Sequence, residues 1–232
     1  MHRSRIIEAA FLAGSTGLAL VFLLAPGIDL WFSGLFYSAA AGFYLQDAWW
    51  VRLLYEMVHP LAALLVLGLL ALLVHNLVRR RAAGPFTTRA VLFLLAVLAI
   101  GPGLVVNGVF KDHWGRARPR DVVEFGGTKT FAPAFVISDQ CERNCSFVSG
   151  HASLPFALAA LGFVLRRRRR AIYVGAAVFG GLVGFGRILQ GAHFLSDVIF
   201  SAVFVFAIAY LLADYVFRLP SGAKPTGSES GS

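Results

Sequence analysis

The chain has 232 residues, 58% of them hydrophobic and only 14% charged, with a formal net charge of +9. A soluble domain carries roughly half apolar and about a quarter charged residues, so this balance excludes an ordinary water-soluble fold and points to lipid as the solvent. The positive charge admits nucleic acid or anionic lipid as a partner. The run Arg166 to Arg170 decides against nucleic acid, because it lies between two apolar stretches, where a cytoplasmic loop belongs.

Arg3 and Arg5 lead into an apolar run from about Ala9 to Ala25 that stops at Pro26-Gly27. It shows no convincing cleavage site and reads as an anchor retained as the first span. A helix needs about 20 apolar residues to cross the hydrocarbon core. Further spans are predicted from about Met57 to Leu77, Ala90 to Phe110, Ala152 to Leu165, Ala171 to Gln190 and Phe194 to Phe217. The fourth covers only about 21 Å, so its start is expected to dip toward the membrane. The expectation is an all-α bundle of six spans over residues 1–219. A Ser-, Gly- and Pro-rich tail follows over 220–232 and reads as disordered.

Six spans place Arg3 and Arg5, Arg79 to Arg81 with Arg89, Arg166 to Arg170, and Arg218 with Lys224 on one side. That side is cytoplasmic by the positive-inside rule, which puts both termini inside and makes the chain a multi-pass membrane protein. The outer side holds residues 26–56, whose Trp31, Tyr37, Trp49 and Trp50 suit an interfacial belt. It also holds residues 111–151 and a turn near Gly191. Lys111, Arg116, Arg118, Arg120, Lys129, Arg143 and Arg187 lie there against the charge bias, which calls for something negative that they bind.

Three clusters carry chemistry. Lys111 and Arg118 are seven residues apart, two turns on one helical face, and Pro119 disfavours helix at Arg118. An ammonium and a guanidinium together suit phosphate, although a headgroup anchor needs no more. Ser149-Gly150-His151 opens the short fourth span: Ser149 is a good helix N-cap, and free N–H groups at a helix start bind anions. In the third cluster His193 and Asp197, four apart, are expected on one helical face, where a carboxylate orients an imidazole. Gly186 and Gly191 suggest a break in the helix that lets Arg187 fold back. Ionisable groups within a membrane are functional by default. No metal-ligand spacing such as His-Glu-x-x-His occurs.

These clusters resemble the signature of the type 2 phosphatidic acid phosphatase family: Lys-x6-Arg-Pro, Pro-Ser-Gly-His and Ser-Arg-x5-His-x3-Asp. Here they read Lys111 to Arg118-Pro119, Val148-Ser149-Gly150-His151, and Gly186-Arg187 to His193 to Asp197. Val148 replaces the usual proline and Gly186 the usual serine. The resemblance implies a metal- and cofactor-independent phosphatase with its site at the periplasmic membrane face. His193 would attack phosphorus and form a phosphohistidine, with Asp197 orienting it. His151 would protonate the leaving oxygen and then activate water. Lys111, Arg118, Arg187, Ser149 and the Gly150 N–H would hold the phosphate oxygens. The substrate would be a membrane lipid phosphate, with no obligatory protein partner.

The stretch from Phe125 to Thr128, with Cys141 to Phe147 ahead of Ser149, looks like the bacterial lipid A phosphatase branch. The additional cations Arg116, Arg120, Lys129 and Arg143 fit a polyanionic headgroup. Undecaprenyl pyrophosphate, phosphatidylglycerol phosphate and a lipid phosphotransferase remain as alternatives, and a transporter or scaffold has no use for both histidines. Cys141 and Cys145, four apart on the outer side, are either bridged, as a periplasm allows, or two free thiols.

Overall fold

The computed structural model describes residues 2–219; the tail expected over 220–232 lies outside the described residues. Helix α1 spans His2–Leu24 and stops just before Pro26; α2, Gly27–Gly34, follows at a bend of 79°. A small antiparallel hairpin, β1 Tyr37–Ser38 and β2 Gly42–Phe43, follows in a chain that is mostly helical. Then come α3 Trp49–Arg79, α4 Thr88–His113, α5 Gly150–Val164, α6 Arg166–Leu189 and α7 Leu195–Val216. Four of these, α3, α4, α6 and α7, are long and apolar enough to cross a membrane, and the bent pair α1–α2 makes up to five. The predicted fourth span is α5, shorter than the rest.

Burial separates the centre of the bundle from its edge. In the most apolar window of α4 and of α6, 44% of residues are buried, and in that of α7 39%; in α3 only 11% are. Leu64, Leu67, Val74 and Leu77 of α3 are instead exposed, as a face solvated by lipid tails requires. Val91, Phe93, Val97, Val106, Phe147, Phe200 and Val205 form the core between α4, α7 and the loop before α5.

Close approach is built from glycines on α6: a Cβ at Gly180 would lie 2.3 Å from the Phe156 ring of α5, and one at Gly184 2.2 Å from Val198 of α7. In α4, Pro102 cannot donate a backbone hydrogen bond, and the helix widens over Ala99–Phe110. The Asn107 amide donates to the Pro102 carbonyl at 2.7 Å. The aromatic segment divides: Trp31 and Trp49 stay exposed, whereas Phe43 is buried against Tyr37 and Phe125.

Candidate active site

At one end of the bundle the loop after α4 and the starts of α5 and α7 meet the last turn of α6, around a cavity of about 900 Å³. Lys111, Arg118, Gly150, His151, Arg187 and His193 all line it. Ser149 and Asp197, fully buried, stand behind the wall. The three clusters, spread over nearly ninety positions of sequence, therefore converge, though the first and third do so without the helical faces expected of them.

Helix α4 ends at His113, and Gly115 turns the chain with φ +68 at a point where a Cβ would meet the Ser138 carbonyl at 1.6 Å. Arg118 is extended ahead of Pro119, as the proline predicts. Lys111 and Arg118 thus share a cavity rather than a helix face. Their common partner is Asn144: Lys111 Nζ donates to its side-chain oxygen at 3.0 Å and Arg118 Nη2 to its carbonyl at 2.6 Å. Arg118 is half-buried; burial first, then the neighbouring Arg120, lowers its pKa, while Asp121 opposes this. Cations held this close favour an entering anion.

Cys141 and Cys145 form a disulfide with Cα atoms 5.6 Å apart. It closes the loop that carries Asn144, and the Cys145 N–H donates to the Lys111 carbonyl at 2.9 Å. Reducing it should free the Asn144 loop and lower activity several-fold without unfolding the bundle, because so small a closed loop contributes less than the ~3 kcal/mol of a 15-residue one. Activity of the detergent-purified protein with and without reductant tests this; unchanged turnover in protein shown to carry two alkylated thiols would remove the loop's role.

Ser149 caps α5, its Oγ accepting from the Ala152 N–H at 3.5 Å. Gly150 is fixed by contact, since a Cβ there would lie 2.8 Å from Asn107 Oδ1 and 2.9 Å from Lys111 Cε. Helix α6 runs unbroken through Gly186 and Arg187 to Leu189, and the break falls at Gly191, φ +59. Arg187 therefore projects from the last turn without folding back. Its Nη1 donates to the Gln190 side chain, and its buried Nε has no hydrogen-bond partner among the described residues. At Gly186 a Cβ would meet Leu54 at an ordinary 3.6 Å, so the departure from serine leaves the helix in place.

His193 sits in the loop before α7, and Asp197 is the third residue of that helix, where its Oδ2 accepts from the Phe194 N–H at 2.8 Å. The closest partner of His193 Nδ1 is the Ser146 carbonyl at 2.8 Å; Asp197 Oδ2 is at 3.6 Å. A carbonyl only accepts, so Nδ1 carries the hydrogen and Nε2 the lone pair. Burial is the largest influence on His193 and lowers its pKa to about 3, against an upward pull from Asp197. The ring is neutral and nucleophilic over the physiological range.

The sequence reading missed what holds Asp197. Arg116 is completely buried; its Nη1 donates to Asp197 Oδ1 at 2.6 Å and its Nη2 to Asp29 Oδ2 at 2.8 Å. Ser196 bonds Asp29 through both its N–H and its Oγ, and the rings of Phe194 and Phe131 lie 4.3 and 5.5 Å from the guanidinium. Asp197 also accepts from Ser146 Oγ at 2.5 Å. Arg116 is thus not one of the cations facing a ligand. Of the four additional cations, Arg120 and Arg143 line the cavity; Lys129 does not. Among the described residues no three His, Cys, Asp or Glu side chains are grouped to hold a metal.

The cavity therefore offers an unspent ring nitrogen, a second histidine and three cations to one anion. The same residues are embedded in a chain similar to the lipid A 4'-phosphatase of Francisella tularensis subsp. novicida (strain U112), 39% identical over 209 residues, 86% of this chain and 90% of that one. The lipid A 4'-phosphatase of Rhizobium leguminosarum is 35% identical over 85% of this chain and 92% of its own. Phosphatidylglycerophosphatase B of Bacillus subtilis (strain 168) is 31% identical over 46% of this chain and 49% of its own. No solved structure matches. Residues 89–220 match the PAP2 superfamily, and the chain belongs to that family.

Proposed function

We propose that this protein is a membrane phosphatase that removes the 4'-phosphate from lipid A through a phosphohistidine. The observation that carries the proposal is the convergence of Lys111, Arg118 and Arg187 with His193 and His151 on one cavity. The similarity to two lipid A 4'-phosphatases over most of the chain supports the substrate. A cavity of about 900 Å³ exceeds what one phosphate needs, and Arg120 and Arg143 on its wall suit further negative charge on the headgroup.

His193 Nε2 attacks phosphorus, the bond from phosphorus to the sugar oxygen breaks, and that oxygen leaves with the electron pair and a proton from His151, which enters the step as the imidazolium because the bound phosphate offsets the burial and the neighbouring Arg187 that otherwise lower its pKa to about 3. His151 then takes a proton from water as the water attacks phosphorus. The P–N pair returns to His193, and inorganic phosphate leaves. Lys111, Arg118, Arg187 and the Gly150 N–H stabilise the charge on the equatorial oxygens. Asp197 acts by fixing the segments on both sides of the nucleophile.

The proposed setting is a single domain over residues 1–219 with six spans and the cavity at the outer face of a bacterial inner membrane. Arg166 and Arg187 lie toward opposite ends of α6, a helix of 24 residues and about 36 Å. The arginine-rich end belongs in the cytoplasm, which supports a periplasmic site and cytoplasmic termini.

Detergent-purified protein given lipid A should release one phosphate, with mass spectrometry locating the loss at the 4' position. Chelators should leave turnover intact, because protein cations neutralise the phosphate, and vanadate should inhibit. Loss at the 1 position, or faster turnover of phosphatidylglycerol phosphate or undecaprenyl pyrophosphate, would reassign the substrate. Activity abolished by chelator and restored by magnesium would overturn the mechanism.

A further inference from the structure

The family-matched residues 89–220 leave out helix α3, yet α3 supplies a wall of the cavity. Tyr55 and His59 lie one turn apart on it, the spacing that puts two side chains on one face. The Tyr55 ring stacks on the His151 imidazole with centroids 4.6 Å apart and planes inclined by 24°. The Arg187 guanidinium lies 4.6 Å from the centre of the same ring. His59 meets His151 edge-on at 4.8 Å. The Tyr55 contacts use its ring and leave two polar atoms unspent: His151 Nε2 and Arg187 Nε are both buried without a hydrogen-bond partner among the described residues.

We infer that Tyr55 is a positioning residue whose ring fixes His151 and Arg187 together, aiming a proton donor and a phosphate-binding cation at the same group. The inference rests on the roles proposed above for those two residues. A stacked aromatic suits the task because it restrains two polar side chains without consuming the atoms they need for substrate. A hydrogen-bonding partner would occupy His151 Nε2 or Arg187 Nε. The cation–π contact consumes none of the guanidinium N–H groups, so it persists while they bind phosphate.

The test compares Tyr55→Phe and Tyr55→Leu in detergent-purified protein acting on lipid A. Tyr55 is 39% exposed, and monodispersity on gel filtration shows that each variant is folded. Phenylalanine keeps both ring contacts and should stay within about threefold of the native kcat/KM, whereas leucine should lower it about 10- to 100-fold. The leucine penalty should shrink on a His151→Ala background and on an Arg187→Ala background, because residues that act through one another are not additive. A leucine variant within about threefold of native would overturn the inference. So would a phenylalanine variant as impaired as leucine, which would make the hydroxyl the working part, or a penalty of equal size on all three backgrounds. Full activity of His151→Ala and Arg187→Ala themselves would bring down the roles on which the inference rests, and the inference with them.

Discussion

His193→Ala is expected to lose lipid phosphate turnover by more than about 10⁴-fold while the protein stays monodisperse in detergent. The side chain is buried, but among the described residues its polar contacts are one hydrogen bond, to the Ser146 carbonyl, and a longer approach to Asp197, so its removal costs chemistry far more than structure. The pH dependence follows from the same burial. Protonation would take away the Nε2 lone pair, and the folded protein holds the His193 pKa at about 3 rather than the ordinary 6.5. The acid limb of kcat/KM that belongs to His193 therefore lies far below 6.5, and activity should not fall through this group as pH drops from neutral to mildly acidic. Phosphate release by the alanine variant at near-native rate would end the nucleophile assignment.

Arg116→Leu should have the largest effect on folding. The guanidinium is the shared counter-charge of Asp29 and Asp197, and all three side chains are fully buried. Its loss leaves two carboxylates facing each other without a cation. Breaking one buried pair costs about 3–5 kcal/mol, a large part of the stability of a typical domain. The variant is expected to give little folded protein, and what folds should be inactive, since Asp197 ties down Ser146 and Phe194 on either side of the histidine. Thermal unfolding in detergent is the measurement. A leucine variant that melts within a few degrees of native would show that the clamp holds nothing together.

The two cases differ in how much of them the sequence reveals. His193, His151, Lys111, Arg118 and Arg187 stand out as charged or titratable residues at the ends of apolar runs, and the fixed intervals between them survive in any fold that joins those ends. The helical-face arguments failed for physical reasons visible in the structure. Gly115 turns the chain between Lys111 and Arg118, and His193 precedes α7 instead of lying on it. Arg116 read as one more basic residue because its partners are 87 and 81 positions away. Tyr55, in the outer segment, and His59, in the second predicted span, drew no reading of their own, since nothing local ties them to His151. The hairpin at Tyr37 and Phe43 is too short to leave an alternating pattern.

The spacing of the buried charges has a consequence for how the protein is made. Synthesis runs at roughly 5–20 residues per second, so Asp29 waits about 4–17 s for Arg116, 87 residues behind it. Arg116 waits about as long again for Asp197, 81 residues later. During that time each charge must be kept in water or at the interface, because an unpaired ion in hydrocarbon is expensive. The three-charge clamp cannot be complete until Asp197 has emerged from the ribosome. The segments that Asp197 ties on both sides of His193 are therefore fixed no earlier than the synthesis of Asp197 itself.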